Sequence, residues 1–553
     1  MARKQPYTKL YATVLVFMVL TLTAGLAAIL IIGTTSRYMA DDYCYTAILR
    51  GGFFERQVNA YLHETTFSGN RFSLTLFTGI SDLFGPFNIR FLPPTIIILW
   101  LICLFFSFKQ FPWFTRKDWT SRLETLVISE VLVLFTLGMA PNWVQVYFWR
   151  AGMFPYLAPL VTGSLLIGLL AKSLACGSRR SLWLVLIFVT AFLTGGFSEI
   201  GVMVELAMLI FGFAGVWFYR EEKKAALLPF GLALIGCLLA LSLILFSPMN
   251  QLRMQRSYGE YSSFLNTLGS SIEGAVTFYL GTLYRQTLYY IAVLLLFSLL
   301  GWGINLRVGW QKPSLAKMLF WLGGILAAGF LIIVAAMIPG FFAESSYPSD
   351  RALIVPRFIS LLLALALGFL AGGSFARIKK TWILKSLLVL AVIINVLVDS
   401  LWLIGMTRGL RPPAYPEMRA FLKENLWLCL TLIAGGILLG SILAWRSRTE
   451  NAIEILLIPL LLPVILIGGR FASEYSLLHQ RAALWDEREG LIKEMIGAGQ
   501  SQLVVPAMNS LSGILELSDN AGFWVNNCAA AYYGVETISA VEPVLDPVQL
   551  DEP

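Results

Sequence analysis

Asp41 and Asp42 stand side by side in SRYMADDYCYTAILRGGF (36–53), a few residues beyond an apolar run at 11–33 that is long enough to cross a bilayer. A carboxylate held just above a membrane is partly desolvated, which raises its pKa and basicity while leaving it in reach of water-borne substrate. Those are the properties of a general base. Tyr43 adjoins the pair as a candidate substrate contact, and a long loop follows instead of a tight return. The plain alternative is that the two acids only solvate the end of the first helix.

Four further groups carry potential chemistry. His63-Glu64 in HETTF lacks the second histidine of the HExxH zinc motif, which excludes that site. His63 is left as a substrate contact, as a partner of Asp41 or Asp42 around a divalent metal ion, or as part of a solvated helix face. Glu199 in TGGFSEIGVMVEL sits at a break between apolar runs, either in the first turn of a helix capped by Ser198 or against a substrate cavity. Arg351 and Arg357 in PSDRALIVPRF, and Arg411 in TRGLRPPAYPEMR, are guanidiniums suited to bidentate phosphate binding, whether of lipid head groups or of a dedicated donor. Arg150 in NWVQVYFWRAGMFPYL lies among aromatics that form an interfacial belt or stack on sugar rings. No phosphate-binding P-loop or dinucleotide fingerprint is present, so an ATP-driven pump is not read from this chain.

These residues must be positioned by membrane helices. The chain of 553 residues is 57% hydrophobic and 13% charged, with a mean hydropathy of +0.73, too little polar surface to cover a soluble protein of this size. The expected fold is an all-α polytopic membrane protein with about thirteen spans: 11–33, 91–108, 123–140, 156–173, 181–197, 199–219, 225–246, 287–303, 318–338, 357–376, 382–403, 425–445 and 452–469. With the N-terminus in the cytoplasm, alternate connections are short and basic, as the positive-inside rule requires. The net charge of +8 therefore reports topology rather than nucleic-acid binding. Residues 1–470 read as the membrane domain, with a long external first loop at 34–90. Residues 471–553 read as a small external α/β cap, and the C-terminus is extracytoplasmic. Of six cysteines, Cys44 and Cys528 fall outside the membrane, and a disulfide between them is open.

The aspartate pair at the external end of the first span, the long amphipathic first loop, eleven to thirteen spans and an external C-terminal segment together resemble the GT-C superfamily of membrane glycosyltransferases. That group includes protein mannosyltransferases, aminoarabinose transferases acting on lipid A, and oligosaccharyltransferases. YMADDYCY, the WRAG…Y loop, GGFSE and the WDER…VVP…WVNNCAAAYYG tail look more closely like a bacterial family of GT-C-like proteins, which fits better than any enzyme of known substrate. The resemblance implies a sugar donor linked to a polyprenyl phosphate, transferred with inversion to an extracytoplasmic acceptor (a glycan, lipid or protein) in the cell membrane. Asp41 or Asp42 would be the base, and Arg351, Arg357 or Arg411 would hold the phosphate. Some relatives need a divalent metal and others do not. Two other readings compete: a transporter or flippase of lipid-linked or polar substrates, and a non-catalytic membrane scaffold.

Overall fold

The computed structural model describes residues 9–49, 53–62, 69–175, 180–219, 223–253, 262–308, 314–375 and 456–543, with isolated positions between 386 and 393. His63, Arg411, the span expected at 425–445 and nearly all of the one at 382–403 lie outside them.

The chain begins with α1 (Lys9–Gly33), which packs against α6 (Trp119–Gly138) and α16 (Leu462–Gly497). Gly468 of α16 lets α1 and α16 cross closely, because a Cβ there would press on the Gly25 backbone at 3.1 Å. Polar groups inside this layer are matched across helices. Tyr11 donates to Glu124 at 2.8 Å, and Thr23 donates to Glu130 at 2.8 Å. The bundle continues through α5 (Leu92–Phe108), α7 (Arg150–Tyr156), α8 (Ala158–Ala175), α9 (Arg180–Gly195), α10 (Glu199–Tyr219) and α11 (Lys223–Leu245). After the short α12 (Pro248–Arg253) come α13 (Phe264–Val308), α14 (Leu315–Ala343) and α15 (Ile354–Phe375).

Among the described residues six stretches are long and apolar enough to cross a membrane, by length and composition: Lys9–Gly33, Arg150–Leu174, Glu199–Phe218, Leu227–Leu245, Ala316–Ala343 and Ile354–Gly372. Leu92–Phe108, Ser181–Gly195 and Tyr289–Asn305 are shorter apolar helices.

Two boundaries differ from those read in the sequence. The span expected at 287–303 is part of a 45-residue helix, α13, which also takes up residues 264–286 assigned to an external loop. The apolar window begins near 287, but helix-forming residues precede it back to Phe264, and hydropathy marks only the greasiest part of a helix. Likewise α16 runs for 36 residues without a break through residue 470, where the membrane domain was divided from the cap. Its buried Phe471, Leu478, Ala482, Trp485 and Ile492 recur at helical spacing, so one rod carries the fold out of the bundle.

At the end that carries the first loop, α2 (Asp41–Leu49), α3 (Phe53–Leu62) and α4 (Phe72–Asp82) lie over the helix ends. Above them, the distal half of α16 packs with β1 (Gln502–Ala507), α17 (Trp524–Tyr533) and β2 (Thr537–Pro543). The strands pair in parallel, Leu503 beside Ile538, and α17 is the crossover between them. Gly534 ends α17 in the left-handed conformation that glycine adopts freely (φ +72°). Tyr38, Tyr43 and Cys44 belong to the same apolar cluster as Trp485, Val525 and Ile538, so the start of α2 and the cap share one core.

Candidate functional site

A nine-residue helix such as α2 is too short to hold its shape alone, and its surroundings decide what its two acids do. Ala40, just before it, takes a left-handed conformation at φ +43°, which costs a non-glycine residue and turns the chain sharply into Asp41.

Asp42 is fully buried, and its charge is matched by donors on every side. One oxygen accepts the Met39 N–H at 3.1 Å, the other accepts the Ala151 N–H at 3.0 Å, and Arg150 Nε lies 3.5 Å away. Arg150 is the hub of this clasp. Its Nη1 pairs with Asp82 at 2.5 Å, and its Nη2 donates to Thr46 at 2.7 Å and to the Asp42 carbonyl at 3.1 Å. Tyr38 lies under the guanidinium at 4.9 Å and donates to Asp82 at 3.1 Å. Burial pushes the Asp42 carboxyl up to about 6, against the pull of Arg150 and the two N–H donors.

The clasp exists because of the WRAG stretch. A single wide helical turn at Val144–Phe148 leads into α7, and Gly152 backs onto it so closely that any side chain there would strike the Gln145 carbonyl at 1.9 Å. That approach delivers Arg150 and the Ala151 N–H to Asp42.

Asp41 is different. It is partly exposed and, among the described residues, makes no hydrogen bond or ion pair. Burial and then the neighbouring Asp42 charge push its carboxyl up to about 7, with Arg351 and Arg71 pulling the other way. Arg351 has no carboxylate partner among the described residues, and its guanidinium lies 5.5 Å from the Trp149 ring. Arg71 caps the start of α4 and pairs with Glu199 at 2.7 Å, while Asn70 donates to the other Glu199 oxygen at 2.8 Å. Burial works against the Arg71 charge, but Glu199 outweighs it and holds the pKa up.

Arg71 and Glu199 also line a cavity of about 370 Å³ between α10, α11, α13 and α14. Its polar end carries Arg71, Glu199, Asn250 and Tyr156, and the rest is apolar, with Leu241, Leu245, Phe264, Leu268 and Phe342. Ser349 and Ala352, on either side of Arg351, form part of its rim. A cavity with a cationic end and a greasy body suits an amphiphile with an anionic head.

Arg351 and Arg71 both act electrostatically on Asp41, and Arg71 pairs with Glu199 at the cavity, but neither Asp41 nor Arg351 is among the residues that line it. Ser198 accepts the Gly201 N–H at 3.0 Å as a helix cap, and Glu199 is among the residues that line the cavity. Asp42 and Arg150 stand behind α2 as the clasp. Tyr43 is buried under the cap, 5.5 Å from Tyr532 and 5.8 Å from Tyr38. Arg357 is buried between α15 and α13, donating to Thr282 at 2.8 Å over the Phe278 ring, and does not line the cavity. Arg71, Asn70, Asp82 and Asn250 were not singled out in the sequence. For Arg71 a signal existed: like Arg351, it is a guanidinium in a segment read as external.

Among the described residues no three His, Cys, Asp or Glu side chains gather as a metal site. Asp42 spends its oxygens on N–H donors, and His63, the partner expected for a metal ion beside Asp41 or Asp42, lies outside the described residues.

No protein-family model matches the chain, and no curated protein matches it. Among solved structures, it is similar to the crystal structure of ArnT from Cupriavidus metallidurans bound to undecaprenyl phosphate, with 12% identity and a TM-score of 0.44 over 93% of this chain and 87% of that one. The apo crystal structure of the same protein gives 12% identity and a TM-score of 0.43 over 95% and 89%.

Proposed function

We propose that this chain is a membrane glycosyltransferase that moves a sugar from a polyprenyl-phosphate-linked donor to an extracytoplasmic acceptor, with Asp41 as the general base. The observation that carries the reading is the Asp41 carboxyl, without a hydrogen bond or ion pair among the described residues and pushed up to about 7 against the pull of Arg351 and Arg71, with Arg71 itself at the polar end of a mostly apolar cavity.

In this reading the donor's prenyl chain lies along the apolar wall and its phosphate meets Arg351 and Arg71. Asp41 takes the proton of the acceptor hydroxyl as that oxygen attacks the anomeric carbon. The bond from that carbon to the phosphate oxygen breaks, with inversion, and the guanidiniums stabilise the negative charge that grows on the phosphate. Asp42 and Arg150 do not touch substrate. They fix α2 so that Asp41 keeps its place. A lipid-borne donor suits a site at this level, because substrate arrives sideways from the bilayer and acceptor from water. N-terminus inside and cap outside is the orientation that this reading requires.

The test is rescue of a deletion strain, with lipid-linked sugars and surface glycans analysed together. Wild-type protein should restore the glycans, whereas Asp41→Asn should leave the acceptor one sugar short and the charged donor lipid in excess. Unchanged glycans and lipids on deletion would sink the proposal.

A further inference from the structure

Cys44 in α2 and Cys528 in α17 are joined by a disulfide across 484 residues of sequence. Both are buried, and Cys44 lies one helical turn from Asp41. The bond does not stand alone. Trp485 donates to the Tyr38 carbonyl at 3.1 Å, and Arg37 holds Asp486 through two contacts of 2.7 Å. Tyr38, Tyr43 and Tyr532 meet edge to face at 5.5–5.8 Å. The side of α2 that carries Tyr43 and Cys44 therefore packs on the last part of the chain. The two sides of α2 are unequal in kind. The clasp with α7 uses charges and hydrogen bonds that form in any compartment, whereas the cap side includes a covalent tie that forms only where thiols are oxidised.

We propose that the cap is a positioning element of the Asp41 site, and that oxidation of Cys44 and Cys528 locks it, so that the site is completed only outside the reducing cytoplasm. The oxidant is the disulfide of a thiol–disulfide oxidoreductase. One cysteine thiolate attacks that disulfide, giving a mixed disulfide and releasing one oxidant thiolate. The second cysteine then displaces the other, forming the Sγ–Sγ bond. Two protons and two electrons leave this chain, and the oxidant departs as a dithiol. The lock follows because a nine-residue helix has little stability of its own, and a cross-link between distant segments removes the open states in which the cap leaves α2. The same argument places α2 and the cap on the outer face, opposite Lys109, Arg116, Lys117 and Arg122 at the far ends of α5 and α6.

The full-length protein in detergent, before and after treatment with dithiothreitol, tests this. Maleimide counting should find two more reactive thiols after reduction, a gain absent in Cys44→Ala/Cys528→Ala. Hydrogen exchange at residues 41–49 should speed up tenfold or more on reduction, while 92–138 stay unchanged, and the double variant should match the reduced wild type without any reductant. Free thiols at both positions in protein taken from the cell membrane would overturn the proposal, and so would unchanged exchange at 41–49. Only one further readout rests on the glycosyltransferase reading: transfer should fall along with the loosening of α2. If α2 loosens and transfer persists, the lock stands and the role given to Asp41 fails.

Discussion

Asp41 and Asp42 are neighbours in sequence and opposites in circumstance. Behind α2, a fully buried acid meets a buried arginine, two N–H donors and a second carboxylate, and both oxygens of Asp42 are answered. On the other side, a partly exposed acid without a hydrogen bond or ion pair, and a guanidinium without a carboxylate partner, among the described residues, act on each other only through their charges. The first arrangement fixes geometry, because breaking a buried pair strands a charge. The second keeps groups available for a reaction, and perturbed carboxyls with charged neighbours beside a cavity are where catalysis is expected. A rigid half and a poised half share a single short helix.

The sharpest break of this contrast is to neutralise each acid in turn. Asp41→Asn should lower transfer by about 10²–10⁴-fold, the usual worth of a general base, with normal levels of folded protein in the membrane. Asp42→Asn should lower folded protein and transfer together. If the two variants behave alike in both assays, the division of labour is wrong. Arg150→Met comes next, since it leaves Asp42 and Asp82 buried without their cation, and a loss of about 3–5 kcal/mol should appear as a lower melting temperature in detergent. Arg351→Ala should spare stability and lower transfer by about 10²–10³-fold, with Arg351→Lys recovering only part, because an ammonium cannot grip phosphate in two places.

The pH response separates the acids more gently. Transfer by the wild type should rise as pH increases through about 7, where Asp41 loses its proton, and the residual transfer of Asp41→Asn should show no such step. The sign for stability is opposite. The folded-state value of about 7 lies above the usual 3.8, so between those values the folded chain binds more protons than the unfolded one. The contribution of Asp41 to stability is therefore lost as pH rises towards 7, and Asp41→Asn should melt no lower than wild type at pH 8. The smallest effect belongs to the cap edge. Asp486 is about a third exposed, and although burial raises its pKa, Arg37 and Arg90 outweigh that and hold it low. Asp486→Asn should cost about 1 kcal/mol or less, read as a shift in melting temperature.

Some of this was legible in the residues and some was not. The acid doublet after the first apolar run, Glu199 at the GGFSE break and Arg351 on an external segment were all visible as polar groups placed against expectation. Gly152 in WRAG could be quoted as part of a motif, but its reason, a Gln145 carbonyl so close that any Cβ would strike it, could not be read there. Neighbouring side chains on a helix point about 100° apart, so the sequence could not say which aspartate faces Arg150. Arg71 was passed over because its partner Glu199 lies 128 residues away, and no local pattern joins them.

What the sequence determined by itself is composition-driven: many apolar helices, basic connections between them, and acids and arginines at one side. Those properties follow from transfer free energies and periodicity, which are local. What the tertiary structure alone decided is pairing. It set Asp42 on Arg150, left Asp41 beside Arg351 and Arg71, carried one helix from the bundle into the cap, and brought Cys44 to Cys528. Each of these depends on segments far apart in the chain meeting in space, and a single sequence does not encode that meeting in any short stretch.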